Sequence, residues 1–278
     1  MSANDIFSLK RPSNEPILSY EPGSEEKMEV KTKLNELKNN PVEIPLIING
    51  KEVKTGNTKE IRAPHNHDLV LGKYHMAGEK EVNQAVEAAL TAKEEWENTS
   101  WEKRASIFLK AASLLAGPNR AELNAATMLG QSKNIFQAEI DSACELIDFL
   151  RFNSYFMTQI YKNQPSSTDD ILNRMEYRPL EGFIFAVPPF NFTSIGANLP
   201  TAPALMGNTV LWKPASTAVY SNYFFMKILQ RAGLPAGVIN FIPGRGSQIG
   251  PLVTEKPELA GIHFTGSVNT LNQMYKEV

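Results

Sequence analysis

The sequence predicts an α/β fold: a parallel sheet covered on both faces, preceded by a helical region. Two observations carry that expectation. From Phe183 onward, short apolar runs alternate with helical stretches, as expected for strands buried on both sides of a parallel sheet. Upstream, residues 79–163 carry apolar side chains at helical spacing with charges between them.

Taken in order, residues 1–46 are polar and punctuated by Pro12, Pro16, Pro22, Pro41 and Pro45. Within them Ser24 to Asn40 predicts a short surface helix, because Met28, Val30, Leu34 and Leu37 make only a narrow apolar stripe. This zone is expected to lie as an arm over the body. Ile44 to Val53 predicts strand, turn and strand, with Asn49-Gly50 as the hairpin turn. Val82, Ala85, Val86, Ala89, Leu90 and Trp96 mark one helix. Trp101 to Leu115 marks a second, stopped by Gly117-Pro118. A helical segment from Ala121 through Tyr161 follows, expected to break near Gly130, and Pro165 to Asp170 reads as a loop. Leu172 to Pro179 reads as an extended arm. Strands are expected at 183–187, 209–212, 238–242 and 261–264, with helices at 194–206, 217–232, 247–256 and 267–277. The organisation is therefore an arm (1–46), a hairpin, helical region and extended arm (47–181), and βα units (182–278). The strand 261–264 is expected to form an open edge.

Composition narrows the function classes. With 278 residues, 42% of them hydrophobic, the chain can bury a sizeable core, and no apolar run reaches the length of a membrane span. A net charge of -2 gives no electrostatic case for nucleic acid or an anionic membrane. The single cysteine, Cys144, excludes an internal disulfide and suits a reducing compartment. No secretory h-region opens the chain, and Asp5, Glu15 and Glu21 come early for an acid-poor transit peptide. The expected location is the cytoplasm or the mitochondrial matrix.

Several residues carry chemistry. Asn191 follows the run Phe183-Ile-Phe-Ala-Val-Pro-Pro-Phe, where it either caps the next helix or offers a free amide donor to a developing oxyanion. Lys213, in Gly207-Asn-Thr-Val-Leu-Trp-Lys-Pro-Ala215, stands where a strand ends before a proline; ligands of open α/β sheets bind beyond such ends. Gly261-Ile-His-Phe-Thr-Gly-Ser267 is a third strand ending in small residues. Gly244-Arg-Gly-Ser-Gln-Ile-Gly250 approximates a phosphate-binding turn with one extra residue, or is a glycine-rich turn that only packs helix on strand. Cys144 lies in a helical stretch and is expected to face the core as a small hydrophobe. His65 and His67 lack a neighbouring third ligand, so no metal site is expected.

In this order and spacing the three motifs resemble the cofactor-binding half of the aldehyde dehydrogenase superfamily. Ser19 to Ser24, Phe108 to Ala112, Ala138 to Asp141, Glu145 to Asp148, Arg151 to Asn153 and Pro189 to Thr193 resemble the eukaryotic-type pyrroline-5-carboxylate dehydrogenases. The resemblance covers nearly the whole chain and about the first half of such enzymes. It implies a Rossmann-like sheet and NAD-dependent oxidation of L-glutamate γ-semialdehyde to glutamate in proline degradation. Asn191 would stabilise the oxyanion and Glu145 would line the aldehyde pocket. The implied cofactor contacts are Pro188, Lys213, Ser216, Gly246, Gly266, Ser267, Val268, Asn269 and Thr270. Lys213 would meet the adenosine ribose, Gly246 would lie near the adenine, and the phosphates would rest against the helix after Gly266-Ser267. Ser216 stands where NAD-preferring members often carry a carboxylate, so NAD is expected with NADP tolerated. The resemblance also implies a homo-oligomer, and a catalytic cysteine and glutamate lying past Val278, so that residues 1–278 alone are expected to be inactive. The alternative expectation is a non-catalytic module for nucleotide binding or subunit contact.

Overall fold

The computed structural model describes residues 8–278. Residues 8–22 run over the body without helix or strand, and then helix α1 (Glu25–Asn39) begins at Ser24, whose hydroxyl accepts from Lys27 N. Five strands follow: β1 (Val42–Ile44), β2 (Leu46–Ile48), β3 (Lys51–Val53), β4 (Thr58–Ala63) and β5 (Asn66–His75). The β2–β3 hairpin turns at Asn49 and Gly50, with φ of 50° and 71°, the left-handed pair of a tight hairpin. β4 and β5 form an antiparallel hairpin that the sequence reading did not anticipate; β1 lies parallel on β5 and completes a small sheet.

The helical region contains α2 (Glu79–Glu97), α3 (Trp101–Ala116), α4 (Arg120–Gln131), the short α5 (Ile135–Ala138) and α6 (Leu146–Lys162). Between α5 and α6 the chain winds as a π-helix over Glu139–Glu145. α4 runs through Gly130 and ends at Ser132, which adopts φ 56°. The expected break near Gly130 thus falls at Ser132. A Cβ on Gly130 would lie 3.3 Å from Tyr220 Cβ, so this glycine serves close helix packing instead of a stop. Residues 163–182 contain no helix or strand.

The second half forms β6 (Phe183–Val187), α7 (Thr193–Leu205), β7 (Thr209–Trp212), α8 (Val219–Ala232), β8 (Ile239–Phe241), α9 (Gly246–Thr254), β9 (Leu259–Phe264) and α10 (Val268–Glu277). Their sheet has the order β3-β2-β8-β7-β6-β9. The four later strands are parallel, while β2 is antiparallel to β8 and extends the sheet at one side. β9 forms the other edge.

Alternation explains the two covering layers. Ile184, Ala186, Val210, Trp212, Ile239 and Phe241 face one core, shared with α3, α7 and α8. Phe183, Phe185, Leu211 and Ile242 face the other, filled by Val82, Ala85 and Ala89 of α2 and Ile249 and Val253 of α9. Two cores on one sheet leave the central strands β6 and β7 largely apolar on both faces, which is why they read as near-continuous runs.

Candidate functional site

From β6 the chain winds outward through β7 to β8, then crosses back to set β9 on the other side of β6. The winding reverses between β6 and β9, and in such sheets the ligand crevice lies beyond the carboxyl ends of the strands at that reversal. Thr265 N donates to Val187 O at 3.2 Å and Lys213 N to Ala186 O at 3.0 Å, so the strand ladder runs up to the crevice mouth. Pro188 to Asn191 follow the carboxyl end of β6, Lys213 that of β7 and Thr265 to Ser267 that of β9.

Pro188 is buried and Asn191 is exposed. The capping alternative for Asn191 is overturned by the structure. The cap residue of α7 is Phe192, with no side-chain cap bond, and Asp141 takes the first-turn donors: Thr193 N and Ser194 N donate to its two oxygens at 3.0 and 2.9 Å. Among the described residues no hydrogen bond holds the Asn191 carboxamide. Sequence reasoning missed Asp141. It lies 52 residues before the helix it caps, and no local pattern links such positions.

Lys213 is only 8% exposed and its ammonium has no carboxylate partner among the described residues. Burial therefore pulls its pKa below that of an ordinary lysine. Its Nζ lies 3.6 Å from where a Gly246 side chain would begin, so Gly246 leaves open the space beside the amine. Gly244 does something else, since a Cβ there would meet Ile249 Cδ1 at 2.6 Å. The glycine-rich turn thus packs helix on strand through Gly244 and borders Lys213 through Gly246. Ser216 is half-buried in the turn before α8.

Gly266, Ser267, Val268, Asn269 and Thr270 are exposed around the start of α10. A Cβ on Gly266 would lie 2.6 Å from the Phe264 ring. The Ser267 hydroxyl accepts from Thr270 N at 3.2 Å, closing the cap; the remaining backbone N–H groups of that turn are the donors open to an anion. Glu145 ends the π-helix and accepts from Ser194 Oγ at 2.6 Å, which places it beside the start of α7.

Cys144 is buried, as expected, but among charges. Its Sγ lies 3.5 Å from Arg120 Nη2 and 3.7 Å from Glu139 Oε1. Burial first, and then the Glu139 charge, push its pKa up to about 12. A thiol so rarely ionised is a poor nucleophile. Native protein is expected to react with iodoacetamide at neutral pH roughly a thousandfold more slowly than the urea-unfolded chain. Equal rates would restore Cys144 as a candidate reactive group. His65 is engaged with Ser132 Oγ at 2.9 Å, and the His67 carbonyl accepts from Arg62 at 2.7 Å.

The aldehyde dehydrogenase family profile matches residues 52–278. The chain belongs to the aldehyde dehydrogenase family. It is 49% identical over 274 residues to the delta-1-pyrroline-5-carboxylate dehydrogenase of Agaricus bisporus, covering 98% of this chain and 50% of that protein. The human mitochondrial delta-1-pyrroline-5-carboxylate dehydrogenase is 46% identical over 271 residues, 98% of this chain and 48% of that protein. A crystal structure of the Mycobacterium tuberculosis delta-pyrroline-5-carboxylate dehydrogenase bound with NAD superposes with a TM-score of 0.97 at 47% identity, covering 100% of this chain and 52% of that one. The chain spans about half the length of the curated relatives it matches.

Proposed function

We propose that residues 1–278 are the cofactor-binding part of an enzyme that oxidises L-glutamate γ-semialdehyde, the open form of pyrroline-5-carboxylate, to glutamate in proline degradation. The observation that carries the cofactor reading is Lys213: a buried ammonium with no carboxylate partner among the described residues, at a strand end, beside a glycine, one strand from the crevice. The substrate reading rests on the relatives, which match along nearly the whole chain. We place the enzyme in the mitochondrial matrix or the cytoplasm; relatives from rat and Dictyostelium discoideum are named as mitochondrial. We also propose that the full-length enzyme is a homo-oligomer.

Bound in the crevice, NAD supplies the hydride acceptor. Lys213 meets the hydroxyls of its adenosine ribose, the first turn of α10 from Gly266 to Thr270 meets its phosphates, and the Pro188 carbonyl orients the nicotinamide. NADP is tolerated, because Ser216 offers no carboxylate to repel a 2′-phosphate. Glu145 lines the aldehyde pocket. Asn191 donates to the aldehyde oxygen as it becomes negative under attack by a thiolate. Cys144, the sole cysteine in the sequence, is buried with its pKa pushed up to about 12, so in this reading residues 1–278 do not supply the attacking thiolate.

Lys213→Met separates a ligand-binding role from a structural one. The substitution removes a desolvated charge that no carboxylate among the described residues offsets, so the unliganded protein should become more stable. It should also weaken NAD binding by about 1–3 kcal/mol, a factor of about 5–150 in Kd. Calorimetric titration and thermal melting read both; unchanged NAD affinity removes Lys213 from the cofactor site.

A further inference from the structure

The backbone of the turn that presents Asn191 is held chiefly by the π-helix and by Lys133 before it. Asp141, 2% exposed in the π-helix, accepts from the first two N–H groups of α7. Lys133 Nζ lies 2.5 Å from the same carboxylate and 4.4 Å from the centre of the Phe192 ring, near enough for a cation–π contact. Glu145 takes the Ser194 hydroxyl. Thr127 and Gln131 of α4 and Ser221 of α8 hold the Thr193 hydroxyl, but the two backbone N–H groups, the Phe192 ring and the Ser194 hydroxyl that follow Asn191 are held by residues between Lys133 and Glu145. The π-helix contributes to this geometry, because its wider winding faces Asp141 and Glu145 to α7 while Glu139 faces the N-terminal arm.

We infer that Asp141, together with Lys133, is the positioning residue for Asn191. The inference rests on the reading of Asn191 as the oxyanion donor. Without the Asp141 carboxylate, two buried N–H groups lose their acceptors and Lys133 loses the partner that seats it over Phe192. The turn then relaxes, and a donor misplaced by about 1 Å can cost on the order of a hundredfold in rate.

The test uses Asp141→Asn, with Lys133→Met as a milder second variant in case the first does not fold. Hydrogen exchange is followed by mass spectrometry in the 278-residue chain, which needs no turnover. Exchange over residues 188–195 should accelerate at least tenfold, because the amide keeps one acceptor but turns an NH2 donor toward the other helix-start N–H and toward Lys133, with α4 and α8 unchanged. In an enzyme made by joining residues 1–278 to the second half of the Agaricus bisporus relative, kcat should fall about 10–100-fold while NAD affinity stays within about twofold. In an Asn191→Ala background, Asp141→Asn should cost less than about threefold further, because its effect passes through Asn191. Fully additive losses, or unchanged exchange at 188–195, would overturn the inference. Should Asn191→Ala itself leave kcat intact, the oxyanion reading fails and the positioning role falls with it, while the exchange data still decide whether Asp141 holds the turn.

Discussion

Arg120→Met is expected to destabilise the protein by about 3–5 kcal/mol, the cost of leaving one member of a buried ion pair without its partner. Glu139 is fully buried, and its carboxylate collects Arg120, the Tyr20 hydroxyl at 2.7 Å, Leu18 N at 2.9 Å and Asn124 Nδ2 at 2.8 Å. Arg120 also holds Glu15 at 2.5 Å, and Arg151 holds the other Glu15 oxygen at 2.6 Å. One cluster therefore ties residues 15–20 to α4 and to the π-helix. Burial opposes the Glu139 charge, but the hydrogen bonds from Arg120, Leu18, Tyr20 and Asn124 outweigh it and hold the pKa below the ordinary glutamate value. A depressed carboxylate pKa gives stability that is complete above the unfolded value of about 4.3 and is lost as pH falls through the folded one. Acid unfolding should therefore begin at lower pH in the parent than in Glu139→Gln.

For Arg120→Met, urea titration and thermal melting read the effect, with a loss on the order of 10 °C expected. In Arg120→Met/Glu139→Gln, the neutral amide keeps one acceptor, for Leu18 N or for the Tyr20 hydroxyl, and removes the stranded charge. That double variant should recover part of the loss. If Arg120→Met alone costs under about 1 kcal/mol, the cluster is not what fastens the arm.

The sheet was legible wherever local composition decided structure. β6 and β7 fall on the expected residues because each is an apolar run bounded by Gly182 and Pro188 or by Gly207 and Pro214. The β4–β5 hairpin was not legible. Thr58, Lys59, Glu60, Arg62, Asn66, His67 and Asp68 are exposed there, so no apolar alternation betrays a strand. Gly72 supplies its hidden constraint: with φ 148° it lets Val42 O approach where a Cβ would stand only 2.0 Å away. The π-helix likewise has no sequence signature, and the charge around Cys144 comes from Arg120 and Glu139, brought together by tertiary packing. For the same reason Asn191 and Lys213 could be named in advance, but the exposure of the one and the burial of the other's ammonium could not. Both conditions depend on neighbours distant in sequence.

The 278-residue polypeptide by itself is expected to oxidise no aldehyde above background. An oxyanion donor accelerates a reaction only once a nucleophile has attacked, and the sole thiol present is buried with its pKa pushed up to about 12. The same polypeptide should bind NAD, so silence in the assay would not reflect a missing cofactor cleft. It should also associate, because β9 presents an unpaired edge and Val268, Leu271 and Tyr275 of α10 are exposed beside it. Joining residues 1–278 to the second half of the Agaricus bisporus relative should restore oxidation of glutamate γ-semialdehyde with NAD. In that joined enzyme Asn191→Ala should lower kcat by about 10²–10³-fold, the usual loss for one oxyanion donor. NADH formation, followed by its absorbance, and size-exclusion chromatography measure the outcomes. Substrate-dependent NADH formation by the unjoined chain, abolished by Cys144→Ser, would show that the nucleophile has been misplaced.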